Sequence, residues 1–95
     1  MKKSDIIYRI KKLRRMLCIH SYIYYTLGES LVEDSVWDGW ALELVELQNN
    51  STCAFTGYYD REFYDFDGST GMHLPKDDFI KAVAEQLIKT HKEIK

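Results

Sequence analysis

Residues 24–44 read YYTLGESLVEDSVWDGWALEL, and the fold turns on where one helix stops within them and the next begins. Before this stretch, Ile6, Ile10, Leu13, Leu17, His20, Tyr24 and Leu27 recur at steps of three and four, the apolar stripe of a long helix. Ser4 and Asp5 supply its start signal and Gly28 its stop, which predicts a helix from about 4 to 27. In the connector GESLVEDS, Leu31 and Val32 are expected to act as buried anchors. Val36, Trp40, Leu44 and Leu47 then form a second stripe that ends at the turn-rich QNNST. Ser35 and Asp38 have the spacing of a capping box, with Asp in place of Glu, and Asp34 competes for the cap. Two helices joined by so short a connector pack as an antiparallel hairpin.

The rest of the chain is of two kinds. CAFTGYYDREFYDFDGSTG carries Phe55, Tyr58, Tyr59, Phe63, Tyr64 and Phe66 without a helical period. Its aromatic and Thr content fits either a short β-hairpin or an ordered loop against the helices. Pro75, Asp77 and Asp78 then give helix-start chemistry, a fixed φ followed by negative charge at the positive end of the dipole. Phe79, Val83 and Leu87, with Ile80, Ala84 and Ile88, make an apolar face for a helix over about 76–92. The expected fold is mainly α: an N-terminal antiparallel helical hairpin over 5–48, an aromatic connector over 49–75 and a C-terminal helix over 76–92. All three lie in a single domain spanning 1–95.

At 95 residues, 45% hydrophobic and 29% charged, the chain has the composition of a globular domain with one modest core. It contains no stretch of about 18 apolar residues to span a membrane. Arg9, Lys11, Lys12, Arg14 and Arg15 break any secretory signal. Cys18 and Cys53, without such a signal, read as thiols in a reducing compartment, so the cytoplasm is the expected location. Charge is segregated. Residues 1–28 hold seven basic groups and one acidic, net +6, whereas residues 29–78 hold two basic and twelve acidic, net −10. Residues 79–95 hold four basic and two acidic, net +2. A basic first helix attracts a phosphate backbone, but the plainer reading pairs it with the acidic half of the same molecule.

Asp34, Trp37 and Asp38 fall at i, i+3 and i+4, one face of the second helix. Two carboxylates there are favoured by the helix dipole alone, and Tyr24 and Tyr25 would then be core aromatics. The whole set says more. Tyr24-Tyr25, Asp34, Asp38 and Glu43-Leu44, preceded by LRRMLCIHSYIYY, resemble the N-terminal Ia domain of bacterial NAD-dependent DNA ligases. The likeness runs without a gap over about residues 5–48. In that family the domain grips the nicotinamide mononucleotide (NMN) half of NAD. The resemblance implies that Tyr24 and Tyr25 line such a pocket and that Trp37 stacks on the nicotinamide. It likewise implies that Asp34 and Asp38 take ribose hydroxyls or face the cationic ring. Aromatic faces and carboxylates suit a cationic heterocycle, and carboxylates accept hydrogen bonds from ribose in other dinucleotide sites.

The departures from the family pattern carry their own expectations. Gly28 and Ser30 stand where the family has Asp and Pro, which predicts a looser connector. Trp37 replaces Tyr, Trp40 replaces Leu, and Tyr25 occupies a position that is His in some members. A ligase needs a nucleophilic lysine in Lys-x-Asp-Gly; the nearest string here is Asp65-Phe66-Asp67-Gly68, with Asp in the place of the lysine. Nor does the length allow a nucleotidyltransferase domain, so the chain is expected not to be an enzyme by itself. The resemblance implies a stand-alone Ia-like module of phage or prophage type, binding NMN or NAD weakly or acting in trans on a ligase-like partner. The alternative is a small helical interaction or inhibitor protein that kept the scaffold and lost nicotinamide binding. Such a protein would present its acidic half to a host complex.

Other constellations are poorer. His20, His73 and His91 lack the spacing of metal ligands, so no metal is expected. DGSTG could wrap a phosphate with its amides but reads as a loop into the last helix. The rings of 58–66 could stack on bases, yet Asp60, Glu62, Asp65 and Asp67 beside them repel phosphate. Nucleic acid is therefore expected at most weakly, through the first helix.

Overall fold

The apolar stripe of the first helix becomes the spine of the molecule. The computed structural model describes residues 3–50, 59, 63, 66, 68, 74 and 76–94. The fold is mainly α, with α1 over Lys3–Tyr25, α2 over Asp34–Asn50 and α3 over Asp78–Ile94, and no strand among the described residues. Both α2 and α3 pack on α1 and not on each other. The start of α2 meets the end of α1, Trp37 at Ser21 and Trp40 at His20, and its later turns reach the earlier Arg9 and Arg14 through Glu43 and Gln48. The hairpin is antiparallel. Lys92 near the end of α3 lies 3.7 Å from Glu29 beyond the end of α1, so α3 runs in the direction of α1.

The chain leaves α1 at Tyr25 rather than at 27. The amides of Thr26 and Leu27 both return to the Tyr22 carbonyl, at 2.9 and 3.2 Å, and the Glu29 amide returns to Ile23 at 3.0 Å. Gly28 makes that reversal with φ +69°, where a side chain would cost about 1 kcal/mol. Ser30 Oγ then donates to the Val32 carbonyl at 2.9 Å. Gly28 and Ser30, expected to loosen the connector, make its turn and one of its hydrogen bonds.

The starts of both later helices differ from expectation. The Glu33 carbonyl accepts the first bonds of α2, from Val36 and Trp37 at 3.0 and 3.2 Å. No side-chain cap from Asp34, Ser35 or Asp38 is made among the described residues. α3 begins at Asp78, with Asp77 as its cap: Asp77 Oδ1 accepts from the Ile80 amide at 2.9 Å, and Oδ2 accepts from the Tyr59 hydroxyl. These bonds, that from Tyr59 foremost, hold the Asp77 carboxyl below its usual range.

The core is built from Ile10, Leu13, Leu17, Cys18 and Ile23 of α1, Ala41 and Leu44 of α2, and Ile80 and Ala84 of α3. Phe63, Phe66 and Leu74 from the segment between α2 and α3 are buried in it. The choice between loop and β-hairpin for that segment lies largely outside the described residues. The expected stripes are rotated in three places. Val36 is exposed while Ala41 takes the core position; Tyr24 is exposed; and on α3 the Ile80 row goes deepest, with Val83 half-buried beside it and Phe79 52% exposed.

Arg14, from the basic run of α1, is 1% exposed. Its Nε and Nη2 donate to Gln48 Oε1 at 3.0 and 2.8 Å, and its guanidinium lies 5.6 Å from the centre of the Phe63 ring. Gln48 Nε2 donates to the Phe63 carbonyl at 3.1 Å. Arg9 makes two parallel bonds to Glu43, at 2.6 and 2.8 Å. That pair depresses the Glu43 carboxyl and raises the Arg9 guanidinium; with both side chains more than a third exposed, it is worth under about 1 kcal/mol. No helix among the described residues is long and apolar enough to cross a membrane.

Gln48→Leu removes one acceptor from a buried cation and is expected to cost about 2 kcal/mol, lowering Tm by about 8–16 °C. Adding Arg14→Met to that variant should recover stability, read by denaturant unfolding; a further loss would show that the pair is not the source. Asp77→Ala should cost about 1 kcal/mol as a lost cap, whereas Asp77→Asn keeps the cap. Because the folded carboxyl titrates low, its contribution is full above the usual carboxylate range and is lost as pH falls through the folded value. The Asn variant should accordingly show a flatter decline in stability between about pH 5 and pH 2.

Candidate functional site

The end of α1, the connector and the start of α2 enclose a cleft of about 230 Å³. α1 contributes His20, Ser21, Tyr24 and Tyr25, one helical turn repeated, since each pair is four residues apart. α2 contributes Asp34, Trp37 and Asp38. Ser30, Leu31 and Val32 close the side between them. All five residues that the resemblance implied for a pocket, Tyr24, Tyr25, Asp34, Trp37 and Asp38, line one cavity.

The tyrosines meet edge to face with ring centres 4.9 Å apart, and both are exposed. Trp37 is fixed from behind. Its Nε1–H donates to Ser21 Oγ at 3.2 Å, and its ring stands edge-on to Phe66 with centres 6.5 Å apart. Only part of the indole faces the cleft, in a preset orientation. Asp34 and Asp38 are exposed, and among the described residues neither carries an ion pair or a capping bond. The helix start uses the Glu33 backbone instead, which leaves both carboxylates free to meet a ligand. Two such charges with no fixed cation give the cleft a negative field.

The spacing argument missed His20 and the connector. His20 is half-buried, with its ring tilted against Trp40 at 5.3 Å. Burial pushes its imidazole below the usual range, so at neutral pH it brings no positive charge to the cleft. Its position four residues before Tyr24 was the available signal. Leu31 and Val32, expected as buried anchors, are half-buried and serve as cleft wall. Among the described residues no group of His, Cys, Asp and Glu side chains could hold a metal ion; His73 lies outside them.

No family model matches the chain, and no solved structure matches it. A stretch of 48 residues, 50% of this chain, is 42% identical to part of a DNA ligase from Halalkalibacterium halodurans, of which it covers 7%. Half of the chain is thus similar to a short segment of a DNA ligase, and it spans a small fraction of that relative's length.

The His20 imidazole should titrate below the ordinary value of about 6.5 in an NMR titration. Opening its packing with Trp40→Ala should return it toward that value. The sign for stability follows: the contribution of neutral His20 is full above the ordinary imidazole range and falls as pH drops through it.

Proposed function

We propose that the chain is a ligase-related helical module whose cleft takes the NMN half of NAD, and that it works with a ligase-like partner rather than as an enzyme by itself. The observation that carries this reading is the pair of uncommitted carboxylates, Asp34 and Asp38, lining one cavity with Tyr24, Tyr25 and an anchored Trp37. The similarity of half the chain to a DNA ligase segment supports it.

The residues present fit the nicotinamide and ribose of the group, which supply a cationic pyridinium and hydroxyls; its 5′-phosphate meets no cation among the lining residues and is left to a partner surface. The carboxylates accept hydrogen bonds from hydroxyls and attract the cation. The rings offer π-faces to it, and neutral His20 adds no opposing charge. Size discriminates further. Pockets for drug-sized molecules run to about 300–1,000 Å³, so a cleft of about 230 Å³ takes the nicotinamide and its ribose, not a whole dinucleotide. Binding by this chain alone is accordingly weak, and a partner surface would complete the site.

A second reading, an interaction protein without nicotinamide binding, is favoured by the exposed Phe79 and Leu87 on one row of α3. Titration of NMN, NAD and AMP into a Trp40→Phe variant separates the two, because Trp37 is then the fluorophore in the cleft. Quenching by NMN and NAD but not AMP is expected. Ligand at ten times its Kd should add about 1.4 kcal/mol of stability. Asp34→Asn/Asp38→Asn should abolish both effects while changing unliganded stability by under about 0.5 kcal/mol per site. No response at millimolar ligand would overturn the nicotinamide reading and favour the second.

A further inference from the structure

The two ends of α1 are put to different uses. Its C-terminal turns wall the cleft, while its N-terminal half carries cations, and their partners differ. Arg9 is tied to Glu43 and Arg14 to Gln48 and Phe63. Among the described residues, Lys11, Lys12 and Arg15 have no ion-pair partner; Lys11 and Arg15 are exposed and Lys12 is half-buried. Tyr8 precedes them by three, four and seven residues, so all four share one face. That face is turned from the core, which α1 builds with Ile10, Leu13 and Leu17.

Tyr8 is 63% exposed, the most open large apolar side chain among the described residues. Neither the core nor the cleft uses it. A ring in water beside three unpaired cations is the arrangement by which proteins hold a nucleic-acid strand: cations follow the phosphates and the aromatic face takes a base. An acidic peptide would be served by the cations alone. Among the described residues no carboxylate is paired with this face, and α2, with Ala41 and Leu44 in the core, packs on the opposite side of α1. Asp5, exposed on the flank, reduces the local net charge to +2 and keeps binding weak.

We propose that the Tyr8–Lys11–Lys12–Arg15 face of α1 binds single-stranded nucleic acid, independently of the cleft. Three neutralised phosphates predict a slope of log K against log salt of about −2 for a single strand. Anisotropy of a labelled oligothymidylate of about 20 nucleotides, long enough to cover the face, tests this from low salt upward. Lys11→Gln/Lys12→Gln/Arg15→Gln should flatten the slope toward zero. Tyr8→Ala should leave the slope and weaken binding about fivefold or more, with Tm of both variants checked against the parent. Absence of binding at low salt, or binding indifferent to both variants, overturns the proposal. Capture of polyglutamate with the same affinity, unaffected by Tyr8→Ala, also overturns it and assigns the face to acidic proteins.

Discussion

A guanidinium buried at the junction of α1, α2 and the intervening aromatic segment is the constraint around which this molecule is arranged. Removing an ion from water costs several kcal/mol even after relaxation, so Arg14 is tolerable only while its donors and its face are occupied. Gln48 supplies an acceptor and Phe63 a π-surface, and Gln48 is itself held by the Phe63 carbonyl. The three groups are mutually dependent. Arginine suits this role better than lysine because its charge is delocalised, weakly hydrated and stackable. Satisfying Arg14 fixes the register of α2 on α1, and that register in turn sets Trp37 against Ser21 and Trp40 against His20. The cleft at the far end of the hairpin is thereby held by a bond made at the near end.

What could be read in the residues, and what could not, divides along physical lines. Helix number and the face shared by Asp34, Trp37 and Asp38 follow from periodicity, which depends only on local geometry. The burial of Arg14 was not legible: in a run with Lys11, Lys12 and Arg15 it reads as solvated, and its partner lies 34 residues away. The cap of α3 was not legible, since Asp77 and Asp78 both read as negative charge at a helix start and are equivalent until Tyr59 reaches one of them. The exposure of Val36, Tyr24 and Phe79 was hidden for a related reason. An apolar stripe wider than its partner must leave one edge in water, and the choice of edge is tertiary.

Charge segregation gains meaning from the same geometry. The arginines of α1 that point inward are spent on α2 and on Phe63, which joins the basic and acidic halves of the chain across the hairpin. What remains is polarised along the axis of α1, with carboxylates around its C-terminal end and cations beyond its first turns. A net charge of −2 conceals two surfaces of opposite sign.

The cleft is also contiguous in the chain. Every residue that lines it falls between His20 and Asp38, a window of one helix end, one connector and one helix start. Sites assembled from distant segments require long loops to close, at an entropic cost that grows with the enclosed length. This one closes when a single hairpin closes. Such a unit is heritable in one piece: a chain that acquires the hairpin acquires the whole lining at once. Whatever is appended after it supplies no wall and acts only from behind, as Phe66 does against Trp37.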